Sequence, residues 1–412
     1  MPPSAPAAAA APAAPAPAPT PATPQPPARE PAALKPSQRR LALRDPRVPV
    51  QAHPEQHRRR RARVLPGDEA RRLFAGTLRT ADANLRHLAT DEAQLGRYGL
   101  PVWRSEAELA QALGLTLKTL RHYSIHSARE RVPHYVMFAV PKRSGGERLI
   151  MAPKSRLKAI QRRLNALLVA KLPASEYAHG FVARRSVRSN ALPHVGKAVI
   201  LHLDLKDFFP SIHFGRVRGL MIALGYGYPV AAALAALMTE SPRQPVVAGG
   251  VRYFPPVGSR ACPQGAPTSP GLSNAIVVKM DRRLAGLARR MGFAYTRYAD
   301  DLAFSGDDAG QVHALRCLAQ RIAEDEGFTL NHAKTRLLRR GTPQRVTGVI
   351  VNDVLGLSRQ ERRRLRAALH QASLRARSAG GALQIDATLR GKLAYLKMLN
   401  PAQAARLTAG AG

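Results

Sequence analysis

Acidic residues are scarce in this chain. Its 412 residues hold 27 Asp and Glu against 64 Lys and Arg, a formal charge of +37 at pH 7. So large an excess goes beyond what solubility needs and points to a polyanion, nucleic acid first and an anionic membrane surface second. Cysteine is nearly absent as well. Cys262 and Cys317 are too few for a disulfide framework or a cysteine-built zinc site, and they fit a reducing cytoplasm. The N-terminus has no basic stretch followed by a leucine-rich one, so no secretion signal is read. The uncharged run Gly219 to Met238 is long enough to cross a bilayer, but "GYGYP" interrupts it. Two short buried helices joined by a turn are expected there, in a soluble protein with no membrane partner.

Composition divides the chain. Residues 1–64, a Pro/Ala-rich tail ending in the basic arm "HRRRRAR", have little to bury and are expected to be disordered. The arm is either a nonspecific RNA contact or a solvated linker. Residues 65–130 read as helical. Within them, "SEAELAQALGLTLKTLRHYS" (Ser105 to Ser124) places Gly114 between two helical stretches. Two packed amphipathic helices explain that pattern; a helix-turn-helix in a DNA-binding regulator is the rival reading. Residues 131–352 mix strands and helices, and residues 353–412 are helical and basic.

Because acids are rare, those in apolar surroundings carry information. In "YTRYADDLAFSG", strand-like residues flank Asp300 and Asp301. Two carboxylates at a hairpin tip repel each other, so either the tip is wet or a cation belongs in it. Asp307-Asp308, just downstream, precedes a helical run and reads as a solvated N-cap. "VILHLDLKDFFPSI" reads as a buried strand with Asp204 near its end. Were the two strands neighbours, the three aspartates would form a cluster suited to two Mg²⁺ ions and in-line phosphoryl displacement. "PQGAPTSP" is a Gly/Pro-rich loop with a helix beginning near Pro270. "PKRSGGERLI" reads as a hairpin turning at Gly145-Gly146, with Lys142, Arg143 and Arg148 on its arms.

Taken in this order, these stretches resemble reverse transcriptases, and more narrowly the bacterial retron type. "YADD" resembles the family's metal-binding tetrapeptide, "DLKDFFPSI" its first aspartate motif and "PQGAPTSPGLSN" its template- and nucleotide-positioning loop. "NHAKT" is similar to the later lysine motif, "NALPH" to the retron Asn-Ala-x-x-His element and "VTGVIVN" to the retron Val-Thr-Gly element. The resemblance implies an α+β right-hand polymerase: fingers and a palm with an antiparallel sheet over 131–352, and a helical thumb over 353–412. It implies two Mg²⁺ ions on Asp204, Asp300 and Asp301, with the Leu205 carbonyl as a further ligand and Lys334 beside the leaving pyrophosphate. Lys142 and Arg148 would hold the triphosphate of a dNTP, Gln264 and Gly265 the incoming base pair, Phe209 the sugar and Tyr298 the primer end. Asn190, His194, Val346, Thr347 and Gly348 would recognise RNA.

The implied reaction starts from an internal 2′-hydroxyl of a cognate noncoding RNA that is both template and primer. Its product is a branched RNA–DNA hybrid, made within anti-phage defence alongside an effector protein. About 60 residues after Asn352 are too few for a nuclease domain of ordinary size, so host RNase H is expected to remove the template. Another bacterial reverse transcriptase, or a group II intron-like one, extending a conventional 3′-OH primer is the alternative, and a helix-turn-helix-type DNA-binding regulator with an inactive palm the distant one.

Overall fold

The computed structural model describes residues 89–125, 132–142, 145–378 and 385–409. The Pro/Ala-rich tail, the basic arm and Arg143 lie outside the described residues.

Three short helices come first: α1 (Glu92–Arg97), α2 (Glu106–Leu113) and α3 (Leu117–Ser124). Ser105 and Thr116 cap α2 and α3 with their hydroxyls, and Gly114, at a left-handed φ of 69°, ends α2. Leu109, Leu113, Leu120 and Tyr123 are buried. The hairpin of β1 (Tyr135–Pro141) and β2 (Glu147–Pro153) follows, then α4 (Ser155–Leu167) and α5 (Val187–Ala191). Next are β3 (Val199–Asp204), α6 (Phe208–Ser211), α7 (Phe214–Ala223) and α8 (Tyr228–Met238). A turn at Gly225 separates α7 from α8, so the long apolar run is two helices, with Pro229 in the first turn of the second. Helix α3 packs on α8, and Ser105 to Ser124 is therefore a pair of packed amphipathic helices. No helix among the described residues is long and apolar enough to cross a membrane.

A small hairpin, β4 (Val246–Ala248) and β5 (Val251–Tyr253), precedes α9 (Ser269–Ile276) and α10 (Val278–Arg290). Strands β6 (Ala294–Tyr298) and β7 (Asp301–Gly306), helix α11 (Val312–Asp325) and strand β8 (Arg336–Arg339) come next. Short strands β9 (Arg345–Val346) and β10 (Val349–Ile350) lead to α12 (Arg359–Ser378), α13 (Ala387–Leu399) and α14 (Pro401–Ala409). Helix α12 starts where "SRQE" forms a capping box: Glu361 N–H donates to Ser358 Oγ, and Ser358 N–H donates to Glu361 Oε2.

The central sheet is antiparallel with strand order β6-β7-β3-β8. Both faces are covered, which is why β3 reads as an almost unbroken apolar run. Leu201, Leu203, Leu302 and Phe304 face a large core shared with α7, α8 and α10. Ile200 and Ala303 face a second core with Val346, Val349 and the buried leucines of α12 and α13. Period-2 alternation then puts His202, Asp204 and Asp301 on the same face as this second core, at the open end of the strands.

One expected cap is not where the sequence put it. Asp307 pairs with Lys197 Nζ at 2.9 Å, and Asp308 accepts from Gly310 N–H at 2.8 Å. Helix α11 begins later, after Gln311, because the Asp308 turn uses up the intervening residues.

Candidate active site

Strand pairing brings distant aspartates together. In the β3–β7 register Asp204 lies directly opposite Asp301. Ala299 and Asp300 form the two-residue turn between β6 and β7, and Ala299 sits at a φ of 56°, a region that favours glycine. Leu205 N–H donates to the Asp300 carbonyl at 2.9 Å, and Asn331 N–H to the Asp204 carbonyl at 2.7 Å. The single turn His332–Lys334 then places Lys334 Nζ 3.0 and 2.9 Å from the two Asp204 carboxylate oxygens. His202 Nδ1 lies 3.4 Å from Asp301 Oδ1.

The charge here is unbalanced. Burial raises the Asp300 carboxyl above its ordinary range, and the neighbouring Asp204 and Asp301 charges add to this. The residue's own backbone hydrogen bond and Lys334 offset part of it. Such oxygen donors suit a hard divalent cation. Among the described residues no three His, Cys, Asp or Glu side chains close into a cage, because Asp204 turns to Lys334 and Asp301 to His202. That still fits Mg²⁺, which takes one or two carboxylates and completes its shell with water and substrate phosphates. Leu205 is buried at the same strand end, with its amide committed to Asp300.

The other expected residues lie on α6, the β1–β2 hairpin, the loop before α9 and the end of β6. Phe208 is buried against Phe328, ring centroids 5.8 Å apart, whereas Phe209 is only partly buried. Phe208 is core, and Phe209 packs against the same core while staying partly exposed. Met151 N–H donates to the Gln264 carbonyl at 2.9 Å, which ties the "PQG" loop to β2. A Cβ on Gly265, at a φ of 128°, would come within 3.0 Å of the Met151 carbonyl. Only glycine fits that approach. Helix α9 follows with Pro270 in its first turn. Lys142 and Arg148 are exposed on the hairpin arms, and Gly145 and Gly146 turn at φ of 84° and 75°. Tyr298 pairs across the strands with Asp301, its ring 6.5 Å from that of Phe181.

The expected RNA contacts need correction. Asn190 is 1 % and His194 0 % exposed. His194 bonds Ser305 Oγ and Thr296 Oγ1, each at 2.7 Å, and burial lowers its pKa to about 3. Val346 is fully buried in the second core. These three side chains cannot touch RNA in this fold; they hold the sheet and the β9–β10 turn together. Thr347, at a φ of 48°, and Gly348 form that turn, and Asn190 Nδ2 reaches Thr347 Oγ1 at 3.4 Å. The "NALPH" and "VTG" stretches are therefore one substructure, and of the five residues expected to recognise RNA only Thr347 and Gly348 are not buried.

The sequence reading missed a buried network beside the aspartate turn. Arg297 of β6 makes a two-pronged ion pair with Asp281 of α10 at 2.8 and 2.9 Å, and both are fully buried. Burial alone would lower the Arg297 pKa; the Asp281 charge more than offsets it and raises it. The available signal was a charged residue on the apolar face of each element, Arg297 in line with Tyr295 on β6 and Asp281 in line with Leu284 on α10.

The family described as "Reverse transcriptase (RNA-dependent DNA polymerase)" matches residues 140–351, which include β2, all three aspartates and the β9–β10 turn. The chain belongs to the retron reverse transcriptases. It is 61 % identical to the Retron Mx65 reverse transcriptase of Myxococcus xanthus over 374 residues, 91 % of this chain and 86 % of that one. Identity to the Retron Mx162 reverse transcriptase of the same organism is 42 %, over 74 % of this chain and 66 % of that one. To the Retron Ec86 reverse transcriptase of Escherichia coli it is 32 %, over 67 % and 81 %. A solved Candida albicans telomerase is similar at a TM-score of 0.38 and 12 % identity, over 59 % of this chain and 51 % of that one, too weakly to argue from. This retron reverse transcriptase is thus an RNA-directed DNA polymerase with the α+β right-hand fold, and RNA is its template.

Proposed function

We propose that this retron reverse transcriptase copies part of a cognate structured noncoding RNA into DNA, starting from an internal 2′-hydroxyl and yielding a branched RNA–DNA hybrid. The observation that carries the polymerase centre is the direct pairing of Asp204 with Asp301, with Asp300 on the adjoining turn. In this reading residues 131–352 form fingers and palm, 353–412 the thumb, and the working place is the cytoplasm. Asp204, Asp300 and Asp301, with the Leu205 carbonyl, would hold two Mg²⁺ ions. Bound there, the ions would lower the pKa of the primer hydroxyl and neutralise triphosphate charge.

The chain's own residues do the rest. Lys142 and Arg148, free on the exposed hairpin, grip the triphosphate as point charge and fork. Gln264 and Gly265 seat the new base pair against β2. The Phe209 ring excludes a ribose 2′-hydroxyl, so DNA is made. Tyr298 supports the primer end. Lys334 exchanges Asp204 for the departing pyrophosphate, whose charge it stabilises. Thr347, Gly348 and the basic face of α12 contact RNA, mostly through shape and phosphates. Host RNase H would trim the template, and an effector would couple the hybrid to anti-phage defence.

The test uses purified protein, RNA transcribed from the flanking locus, Mg²⁺ and labelled dNTPs, with Asp300→Asn plus Asp301→Asn as control. DNA that stays covalently joined to RNA until debranching enzyme is added, and is absent in the control, is the expected result. Extension of an added 3′-OH primer alone would replace the priming part of the proposal with the group II intron-like reading.

A further inference from the structure

Two opposite charges, Asp281 and Arg297, are sealed beside the aspartate turn, and no step above uses them. Taking such a pair out of water is costly, and well-packed apolar residues often serve the fold as well. Stability is therefore a weak account of this pair. What Arg297 touches is a better one. Its Nε and one terminal nitrogen are committed to Asp281. The other terminal nitrogen donates to Asn274 Oδ1 at 3.0 Å and to the Ala299 carbonyl at 3.1 Å.

That carbonyl belongs to the peptide joining Ala299 to Asp300. The next carbonyl, that of Asp300, accepts from Leu205 N–H at 2.9 Å. Both peptide planes flanking Asp300 are thus pinned, one by a buried guanidinium and one by the end of β3. The pinning has work to oppose, since the left-handed φ of 56° at Ala299 is unfavourable for a non-glycine residue. Gly180 packs against the same turn: a Cβ there would lie 2.8 Å from the Ala299 nitrogen. Asn274 Nδ2, in turn, donates to the Gly180 carbonyl at 2.9 Å.

We propose that Arg297, held by Asp281 and Asn274, is a positioning residue that fixes the Ala299–Asp300 peptide and so sets the Asp300 carboxylate beside Asp204. The inference rests on Asp300 belonging to the reaction centre. Arg297→Lys keeps a positive charge opposite Asp281 but lacks the fork that reaches Asp281, Asn274 and Ala299 at once.

The experiment measures kcat and dNTP KM on template RNA, Mg²⁺ binding by calorimetry and the unfolding midpoint, all on the full chain. Since misplacement of about 1 Å can slow a reaction about 100-fold, kcat should fall at least about tenfold, with KM changed less than about twofold. Mg²⁺ binding should weaken. Adding Ala299→Gly to Arg297→Lys should restore part of kcat, because glycine holds a left-handed turn without a brace. Should Arg297→Lys not fold, the combined Asp281→Leu, Tyr295→Phe and Arg297→Met variant removes both buried charges and the hydroxyl bonded to Asp281, and gives the same comparison. Tyr295 is included because its hydroxyl donates to Asp281 Oδ1 at 2.8 Å.

Wild-type kcat per folded molecule in either variant, or no recovery with Ala299→Gly, overturns the proposal. Asp300→Asn separates the two levels. If it turns over like wild type, the placement of Asp300 in the centre fails and this proposal with it. If it is inactive while Arg297→Lys is unimpaired, only the positioning role fails.

Discussion

His194→Ala should unfold the protein more easily without weakening its grip on RNA. The imidazole is fully buried and bonds two hydroxyls, Ser305 Oγ and Thr296 Oγ1. Truncation leaves Ser305 with no partner in its place; Thr296 keeps a 3.4 Å bond to the Asn190 carbonyl. A stranded hydroxyl plus the cavity should cost on the order of 3–4 kcal/mol.

The pH dependence supplies a second check. Burial, with smaller contributions from His202 and His179, lowers the His194 pKa from 6.5 in the unfolded chain to about 3 in the fold. The unfolded chain therefore binds the extra proton in this window. The stability that neutral His194 gives is present above 6.5 and is lost as pH falls toward 3. Integrated from pH 7 to pH 5, that loss is about 2 kcal/mol in the wild type and is missing in the variant. Urea melts followed by circular dichroism at the two pH values should show the gap between the proteins narrowing by that amount. RNA affinity measured by gel shift at neutral pH should be unchanged. A variant as stable as the wild type that binds RNA weakly would refute the reasoning and return His194 to the RNA surface.

Gly265→Ala should cost about 1–3 kcal/mol locally, because its φ of 128° and the 3.0 Å approach to the Met151 carbonyl both resist a Cβ. It should appear chiefly as a raised dNTP KM. Lys334→Met should change the unfolding free energy by less than about 1 kcal/mol, since Lys334 is 44 % exposed and its pair with Asp204 is screened, while kcat falls clearly. Phe209→Ala should admit ribonucleotides, read as labelled rNTP incorporation, while Phe208→Ala, in the core, should lower the melting temperature instead.

The sequence by itself determined the elements and the chemistry. Alternation around Asp300, the apolar run ending at Asp204, and the glycines at 114, 145, 146 and 265 all act over a few residues. Local pattern is enough to read them. The scarcity of acids made the three aspartates conspicuous, and the order of the motifs carried the family. Only the tertiary structure decided which residues face inward. "NALPH" and "VTG" looked like recognition elements, yet the packing of the second core buries Asn190, His194 and Val346. Lys334 stood beside the pyrophosphate only through the resemblance; the turn at residues 332–334 is what brings it onto Asp204. The pairing of Arg297 with Asp281 is invisible in the chain because it joins a helix face to a strand face. Such contacts are set by how two layers pack, and no local periodicity encodes which charge in one layer will meet which in the next.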